Sequence, residues 1–593
     1  MLLQPLEVVL QAISWLTTIH GQGTVGVLGI LSHRLYFIRG EHHLKAPLYF
    51  GLWALASVFV VSIFHAANAF EPLHGNVRTD INAFEALARL NAAFFLPLFT
   101  SMVVYRLLEH PLRHFPGPRL LATSKLWHVS YMFTKKNHLF LDDLYHKYGS
   151  IVRTGPQELT VVDPEVWQVI GGPGTSCIKG PWYDLMYPYM SLTSLRTKHG
   201  YAPRRKRWDE AFGFSTNSYV GDKGHRVHAT AKLLLNQLYK CAGSPINVNI
   251  WFHHFAFDIM GDLAWGRSFN LVADLTSGSK PHFAPAIITQ ATSMFQYFTP
   301  ATWMGHICFY LACYVPFVTQ KWNRIFGWAA EICDERLERG GLEAGDKGEA
   351  GTDAFSRFIL SARRDGDDES LDRLALYGET FAIGVAGTHT TAAALTMMLY
   401  ELAQRPEMQD ELRREIAVAG VVSDGDADGR KEEVDAAALE RLPFLDACIN
   451  ETMRFYAPIP SGGARQTTEK GVKVGDTWIP PNTIIIAPRY SISRLEAAWE
   501  KPNEFIPERW TTKPDMIRDR RAFNAFGIGR HTCPGKALGM LEVRMVAAMI
   551  LANFELTLAP TKGNKTRVVD EAKDAFLTLP GELELIFTPL RES

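Results

Sequence analysis

The chain is 593 residues long, with 61 Lys and Arg against 62 Asp and Glu and a formal net charge of −1. That balance excludes the basic excess of a nucleic-acid binder, so no nucleic-acid partner is expected, and an apolar share of 47% allows a large buried core. The seven cysteines are scattered and have no C-x-x-C spacing, which argues against a disulfide framework or a zinc site and fits a reduced compartment.

The N-terminal part reads as membrane. The stretch from about Val8 to Leu31 is apolar but diluted by Gln11, His20 and several glycines. It has no basic n-region and carries Glu7 near its start, so it is not a secretory signal. Pro47–Ala67 holds no Asp, Glu, Lys or Arg over 21 residues, enough to cross the hydrocarbon layer as a helix. Leu90–Tyr105 is shorter and equally uncharged, and a third span would run to about 108. A buried core helix is the alternative for each. The loop at 32–46 holds Arg34, Arg39 and Lys45 against Glu41, whereas the next, 71–89, holds Arg78 and Arg89 against Glu71, Asp80 and Glu85. Arg106, Arg113, Arg119 and Lys125 then face only Glu109. Positive flanks stay in the cytoplasm, so the expected N-terminus is lumenal and the bulk of the chain cytosolic. Residues 1–110 are thus expected to form an anchor with up to three spans, about 8–31, 47–67 and 90–108.

Pro111–Pro118 (PLRHFPGP) predicts a stiff linker into a domain over 111–593. This domain reads as mainly helical. Val248–Arg267 and Leu374–Gln404 carry helical patterns, the second ending before Pro406. Short β-like runs stand at Ile151–Arg153, Leu159–Val162 and Thr483–Ala487. Gly340–Thr352, Ser361–Ser370 and Val422–Glu433 read as exposed loops. Ser293–Val318 has no Asp, Glu, Lys or Arg, but Pro300 and Pro316 interrupt it. Two short helices dipping toward a membrane surface are expected there in preference to a fourth span. The sequons at Asn450 and Asn564 are expected to carry no glycan in a cytosolic domain.

The chemistry concentrates near the C-terminus, in Phe526-Gly-Ile-Gly529-Arg-His531-Thr-Cys533-Pro-Gly535. Gly527-Ile-Gly529 is no dinucleotide loop, because Thr532 occupies the third glycine position and no βαβ unit surrounds it. A cysteine ligand loop fits better. Gly529 and Gly535 permit close backbone approach, and the long apolar helix pattern from Lys536 sets Cys533 at a helix N-terminus, where a thiolate is favoured. A buried free cysteine is the alternative.

This segment resembles the signature of the cytochrome P-450 superfamily, and further motifs support the likeness over about Pro111–Ser593. Glu451-Thr-Met-Arg454 resembles the family's E-x-x-R helix, and Pro507-Glu-Arg509-Trp its companion, so Glu451, Arg454 and Arg509 would lock the fold. Cys533 would be the axial ligand of haem b iron, in a loop with Phe526, Gly529, His531 and Gly535. A thiolate there promotes O–O cleavage. His531 stands where the family usually has an arginine on a haem propionate. Arg465 and Arg205 would bind propionates, the latter in Tyr201-Ala-Pro-Arg-Arg205, where Tyr201 replaces a common histidine and His199 lies two residues further back. For this basic cluster a solvated face or a reductase-docking patch is the alternative.

Ala386-Gly-Thr-His389-Thr390-Thr resembles the oxygen-activating helix, with Thr390 the hydroxyl that hydrogen-bonds dioxygen and relays a proton. His389 replaces the usual acid. It would either pass protons, titrating near pH 6.5, or merely pair within the fold. Gly384 and Gly387 would weaken that helix where it must open.

The resemblance implies an α-rich triangular prism with a small β region behind N-terminal transmembrane helices, most like fungal microsomal members. It implies a monooxygenase of secondary metabolism in the endoplasmic reticulum membrane, acting with O2 on a lipophilic small molecule. NADPH-derived electrons would come through NADPH-cytochrome P-450 reductase, with cytochrome b5 a second donor. A redox-neutral haem-thiolate rearrangement and a haem-binding protein without turnover are the rival readings. The aromatic residues Trp182, Tyr183 and Tyr187, with Phe295, Phe298 and Trp303, are expected to meet the substrate.

Overall fold

Helices dominate the chain in a computed structural model that describes residues 12, 15–74, 82–212, 217–277, 283–312, 314–339, 353–423 and 430–590. The start of the 8–31 stretch and the 340–352 loop therefore lie outside the described residues. The elements used below are α1 (Ile19–Leu31), α2 (Ala46–His74), α3 (Ala83–Val104), β1 (Ile151–Gly155), β2 (Glu158–Val161), β3 (Ile178–Lys179), α4 (Lys198–Phe212), β4 (Pro245–Asn247), α5 (Val248–Trp265), α6 (Phe283–Gln296), α7 (Thr302–Ala312), α8 (Ala354–Asp365), α9 (Arg373–Ala403), α10 (Pro443–Phe455), β5 (Arg465–Gln466), β6 (Ile484–Ile486), α11 (Lys536–Asn553), β7 (Phe554–Leu558) and β8 (Glu584–Pro589). The chain divides into two compact units: one of residues 1–128, 153–157 and 300–318, the other of the remainder.

In the first unit α1 packs on α3 through glycine. A Cβ on Gly29 would stand 2.4 Å from the Phe94 carbonyl oxygen, and one on Gly26 3.3 Å from Pro97 Cγ. Two of the glycines that dilute this stretch as a hydropathy signal are thus its contact with α3, a common device between membrane helices. Polar groups close the same contact: His33 Nδ1 meets Ser101 Oγ at 2.8 Å, and Arg34 binds Glu109 at 2.5 and 2.7 Å. That fork sets the 32–46 loop on the same side as the end of the third apolar stretch, as an antiparallel bundle requires. Asn82 caps α3 by accepting from the Glu85 N–H.

Three helices among the described residues are long and apolar enough to cross a membrane: His43–His65, Ala83–Glu109 and Arg373–Ala403. The first two present Leu52, Leu55, Phe59, Phe84, Leu96 and Phe99 outward, which suggests membrane anchoring. The third, α9, is 67% buried, so its apolar residues serve the core of the second unit. The 293–318 stretch is not one span. It breaks after α6 and again after α7, whose 11 residues extend about 16 Å, too short for a bilayer. Helix α7 packs against α2 within the first unit and leaves Trp303, Tyr310 and Leu311 exposed.

In the second unit α9 starts at an Asp372 cap that accepts from the N–H groups of Leu374 and Ala375. It runs unbroken for 31 residues with α5 packed along it. A Cβ on Gly387 would lie 2.3 Å from Met260 Sδ, and one on Gly384 3.2 Å from Ile288 Cδ1. These glycines admit neighbouring side chains; they do not open the helix, contrary to the expectation above. The small β region has β2 parallel to β6, with β5 antiparallel to both β6 and β3, and a second sheet in the order β7, β8, β4. The reading of Ser361–Ser370 as loop is corrected at its start: helix α8, capped by Asp353, runs through Asp365 with Phe355, Phe358 and Ile359 buried. Val422–Ser423 and Glu433–Val434, at the ends of another expected loop, pair antiparallel.

Candidate active site

Cys533 sits in a loop that glycine makes possible. Gly527 and Gly529 have φ of +72° and +61°, and a Cβ on Gly529 would stand 2.2 Å from the Gly171 carbonyl oxygen. The Cys533 N–H donates to the Phe526 carbonyl at 2.7 Å, which folds the loop back on itself just before α11 begins at Lys536. The cysteine is exposed, yet it lies deep enough that desolvation pushes its thiol pKa up. The Gly535 N–H, Arg205 and Lys536 pull it back down. The thiol is therefore accessible and backed by donors suited to a thiolate ligand. Cys177, Cys241, Cys308, Cys333 and Cys448 are also free, and Cys313 lies outside the described residues.

Cations gather beside this loop. Arg205 donates to the Thr532 and Arg530 carbonyls and pairs with Asp209 at 2.8 Å. Arg465 donates to the Tyr183 hydroxyl at 3.0 Å. Lys179, 4% exposed, lies 4.6 Å from the centre of the Tyr201 ring and 5.2 Å from that of Tyr183. His531 stacks edge-on to Tyr201 at 4.6 Å. Its pKa is pushed down to about 2, by burial first and then by Lys179, Arg465, Arg530 and Arg205. It is neutral, and its buried Nδ1 has no hydrogen-bond partner. The Asp209 carboxylate on Arg205 and the Glu379 carboxylate acting on Lys179 do not balance this charge. An orphaned donor-acceptor nitrogen among uncompensated cations, beside an accessible thiol, fits a flat cofactor that brings two carboxylates and an iron. Haem has that chemistry.

Thr390 and Ala386 lie on a face of α9 left partly open while most of the helix is buried, and the Thr390 hydroxyl donates to the Ala386 carbonyl at 2.8 Å. His389, one position back, points elsewhere. It is 3% exposed, with Nε2 3.1 Å from Thr289 Oγ1 on α6 and its ring 4.6 Å from that of His253 on α5. Burial pushes its pKa down to about 4, against the near-6.5 titration expected from sequence, so it is neutral at pH 7. It pairs within the fold.

Glu451, Arg454 and Arg509 meet with side chains 0% exposed. Glu451 Oε1 accepts from Arg454 Nη2 (2.8 Å), Arg509 Nε (3.1 Å) and the Ile506 N–H (2.9 Å), while Oε2 accepts from Arg454 Nε (2.9 Å) and Trp510 Nε1 (3.0 Å). The remaining guanidinium donors reach the carbonyls of Ser493, Pro502, Glu504, Glu500 and Lys501. Lys179, Tyr183 and Glu379 were not anticipated as charge partners. No local spacing marks them, since each acts on residues far along the chain.

The sequence profile of the family described as Cytochrome P450 matches residues 116–587. Among curated proteins, "Cytochrome P450 monooxygenase orf5" of Eupenicillium brefeldianum is 33% identical over 506 residues, covering 85% of this chain and 96% of its own. "Cytochrome P450 monooxygenase FCK2" of Fusarium pseudograminearum is 33% identical over 570 residues, 95% of this chain and 96% of that one. "Tryprostatin B 6-hydroxylase" of Neosartorya fischeri is 32% identical over 570 residues, 95% and 97% of the two chains.

Proposed function

The chain belongs to the cytochrome P450 family and is a haem-dependent monooxygenase, and from that premise we propose that Cys533 would supply the thiolate that holds the iron of haem b in an enzyme oxidising a lipophilic, uncharged product of fungal specialised metabolism. The observation that carries the site is the pairing of an accessible Cys533 thiol with the unbalanced cations Lys179, Arg205 and Arg465.

When bound, haem supplies a thiolate-tuned iron able to activate dioxygen. The rest is this chain's work. The Gly535 N–H, Arg205 and Lys536 favour the thiolate of Cys533 against the burial that raises its thiol pKa. Arg465 and Arg205 take the propionates in charge-assisted bonds. Thr390 exchanges its bond to the Ala386 carbonyl for a proton-donating role on the open face of α9. His389, neutral and bonded to Thr289, keeps that stretch of helix in place. Glu451, Arg454 and Arg509 fasten the 493–510 segment.

Residues 1–110 form the anchor in this reading and 111–593 the catalytic domain, which faces the cytosol from the endoplasmic reticulum membrane. Two electrons originate in NADPH and arrive through NADPH-cytochrome P-450 reductase, with cytochrome b5 as an auxiliary donor. Substrate enters from the membrane side and meets Trp182 and Tyr183. Trp182 is oriented by a 3.2 Å bond to Thr299 and by stacking on Phe576. Reduced protein under carbon monoxide should show the absorption band of thiolate ligation, and Cys533→Ser should lose it. Persistence of that band in the variant would refute the ligand assignment. A screen of lipophilic compounds with a reductase present, scored by gain of one oxygen in mass, identifies the substrate class.

A further inference from the structure

Upstream of Thr390, α9 carries a buried acid that no step above uses. Glu379 is 2% exposed. Its Oε1 accepts from the backbone N–H of Leu192 at 2.8 Å and its Oε2 from the indole N–H of Trp208 at 3.1 Å. Arg204 Nη1 stands 3.6 Å away. The neighbouring Gly378 shows how closely the 187–194 segment lies on the helix. A Cβ there would meet the Tyr189 carbonyl oxygen at 2.6 Å and that of Met190 at 2.9 Å.

The same segment is tied from its other side. Lys179 Nζ donates to the carbonyls of Leu192 and Thr193, each at 2.8 Å, and Arg204 donates to that of Met190 at 3.3 Å. Tyr189 stacks on Phe326 at 4.1 Å. Leu192 thus has its N–H bound to α9 and its carbonyl bound to the cation cluster. A buried carboxylate is costly to keep. Here one of its bonds goes to a segment without regular secondary structure, whose own Leu192 N–H finds its acceptor on α9.

We propose that Glu379 is a positioning residue: it locks the 187–194 segment onto α9 and so fixes, relative to Thr390, the wall around Tyr183 and Tyr187 that a substrate meets. The locking rests on geometry alone, whereas the consequence for substrate rests on the site reading above. The charged groups facing Glu379 are Arg204 from α4 and Lys179 from β3, with Arg465 and Arg205 acting on Lys179 in turn. From α8, Phe358 stacks on Trp208 at 4.8 Å. Burial pushes the Glu379 pKa up to about 7, while Arg204, the Leu192 and Trp208 donors and Lys179 pull it back. An acid raised by burial holds its proton more tightly when closed in than when water reaches it. The closed-state pKa thus lies above the ordinary carboxyl value, so the linkage increasingly favours release of the segment as pH rises from that ordinary range toward about 7, and levels off above it.

The test is hydrogen–deuterium exchange on the full-length holoenzyme in nanodiscs, with binding of 4-phenylimidazole, a neutral iron ligand of pocket size, as a second readout. In Glu379→Ala, peptides over 187–197 should exchange about tenfold faster, the loss of one buried hydrogen bond, with 158–171 unchanged. The probe should bind about fivefold more weakly, because the wall must first be ordered. In the wild type, exchange corrected for its intrinsic pH dependence should rise between about pH 5 and 7 and level off above. Glu379→Gln, neutral and nearly isosteric, should be flat. Unchanged exchange in a haem-retaining Glu379→Ala overturns the proposal, and so do identical pH profiles for wild type and Glu379→Gln. The second comparison decides alone if Glu379→Ala does not hold haem. Failure of the site reading would show separately, as a wild type lacking the thiolate band.

Discussion

Two clusters of buried charge in the second unit are built on opposite plans. Around Glu451 each guanidinium nitrogen has an acceptor: one carboxylate gathers two guanidinium groups, an indole and a backbone N–H, and backbone carbonyls take the other nitrogens. Around His531 the basic side chains of Lys179, Arg205, Arg465 and Arg530 converge, burial lowers the Lys179 pKa, and a buried nitrogen has no hydrogen-bond partner among the described residues. Unpaired buried charge is unfavourable, so a protein retains it only where another requirement outweighs the cost. In the reading proposed above, the closed cluster serves the fold and the open one the haem. Removing a member should therefore do opposite things in the two places.

The largest effect is expected at Glu451. Glu451→Ala strands two buried guanidinium groups, a loss of about 3–5 kcal/mol. Chemical unfolding of the purified protein should show it, together with failure to accumulate haem. An unfolding midpoint equal to the wild type's would break the contrast. Arg465→Ala sharpens it from the other side. Removing a cation from the overcharged cluster should leave the haem-free protein as stable or more so, yet weaken haem retention by about 1.5–3 kcal/mol, the worth of a hydrogen bond to a charged group. The rate of haem loss to an acceptor globin measures this, and equal rates would remove Arg465 from the propionate site.

Thr390→Ala lies between the two plans. It removes a hydroxyl from the open face of α9 and leaves both clusters intact, so haem content and substrate binding should persist. The ratio of product to NADPH consumed should fall severalfold as electrons go to hydrogen peroxide. A fully coupled Thr390→Ala would support the redox-neutral rearrangement. The smallest effect concerns His389. Its folded pKa, about 4, lies below the ordinary 6.5. The unfolded chain thus binds the proton first, and the stability this histidine contributes is present above pH 6.5 and lost as pH falls toward 4. His389→Asn should flatten that acid limb of the unfolding profile without moving the pH dependence of coupling. A shifted coupling profile would return His389 to the proton path.

These contrasts follow what a linear reading can reach. Glu451 and Arg454 are three residues apart on one helix face, Cys533 is framed by glycines within its own loop, and uncharged stretches announce themselves by length. Such features are local, set by helical repeat, backbone sterics and transfer from water, so the sequence alone determined the anchor segments, the ligand loop, the E-x-x-R helix and the long helix with Thr390. The roles of the glycines could not be read that way. Gly387 looked like a weak point until Met260 of α5 proved to fill the space, and Gly29 looked like dilution until Phe94 lay against it. His389 sits beside Thr390 in the chain, but its partners are Thr289 and His253 on other helices, and their burial is what lowers its pKa. Lys179 and Glu379 likewise acquire meaning only when Leu192, Trp208 and the His531 loop fold around them. Charge balance and desolvation depend on everything within a few ångströms, whatever its place in the chain. Only the tertiary structure could decide which charges close on one another and which stay open for a ligand.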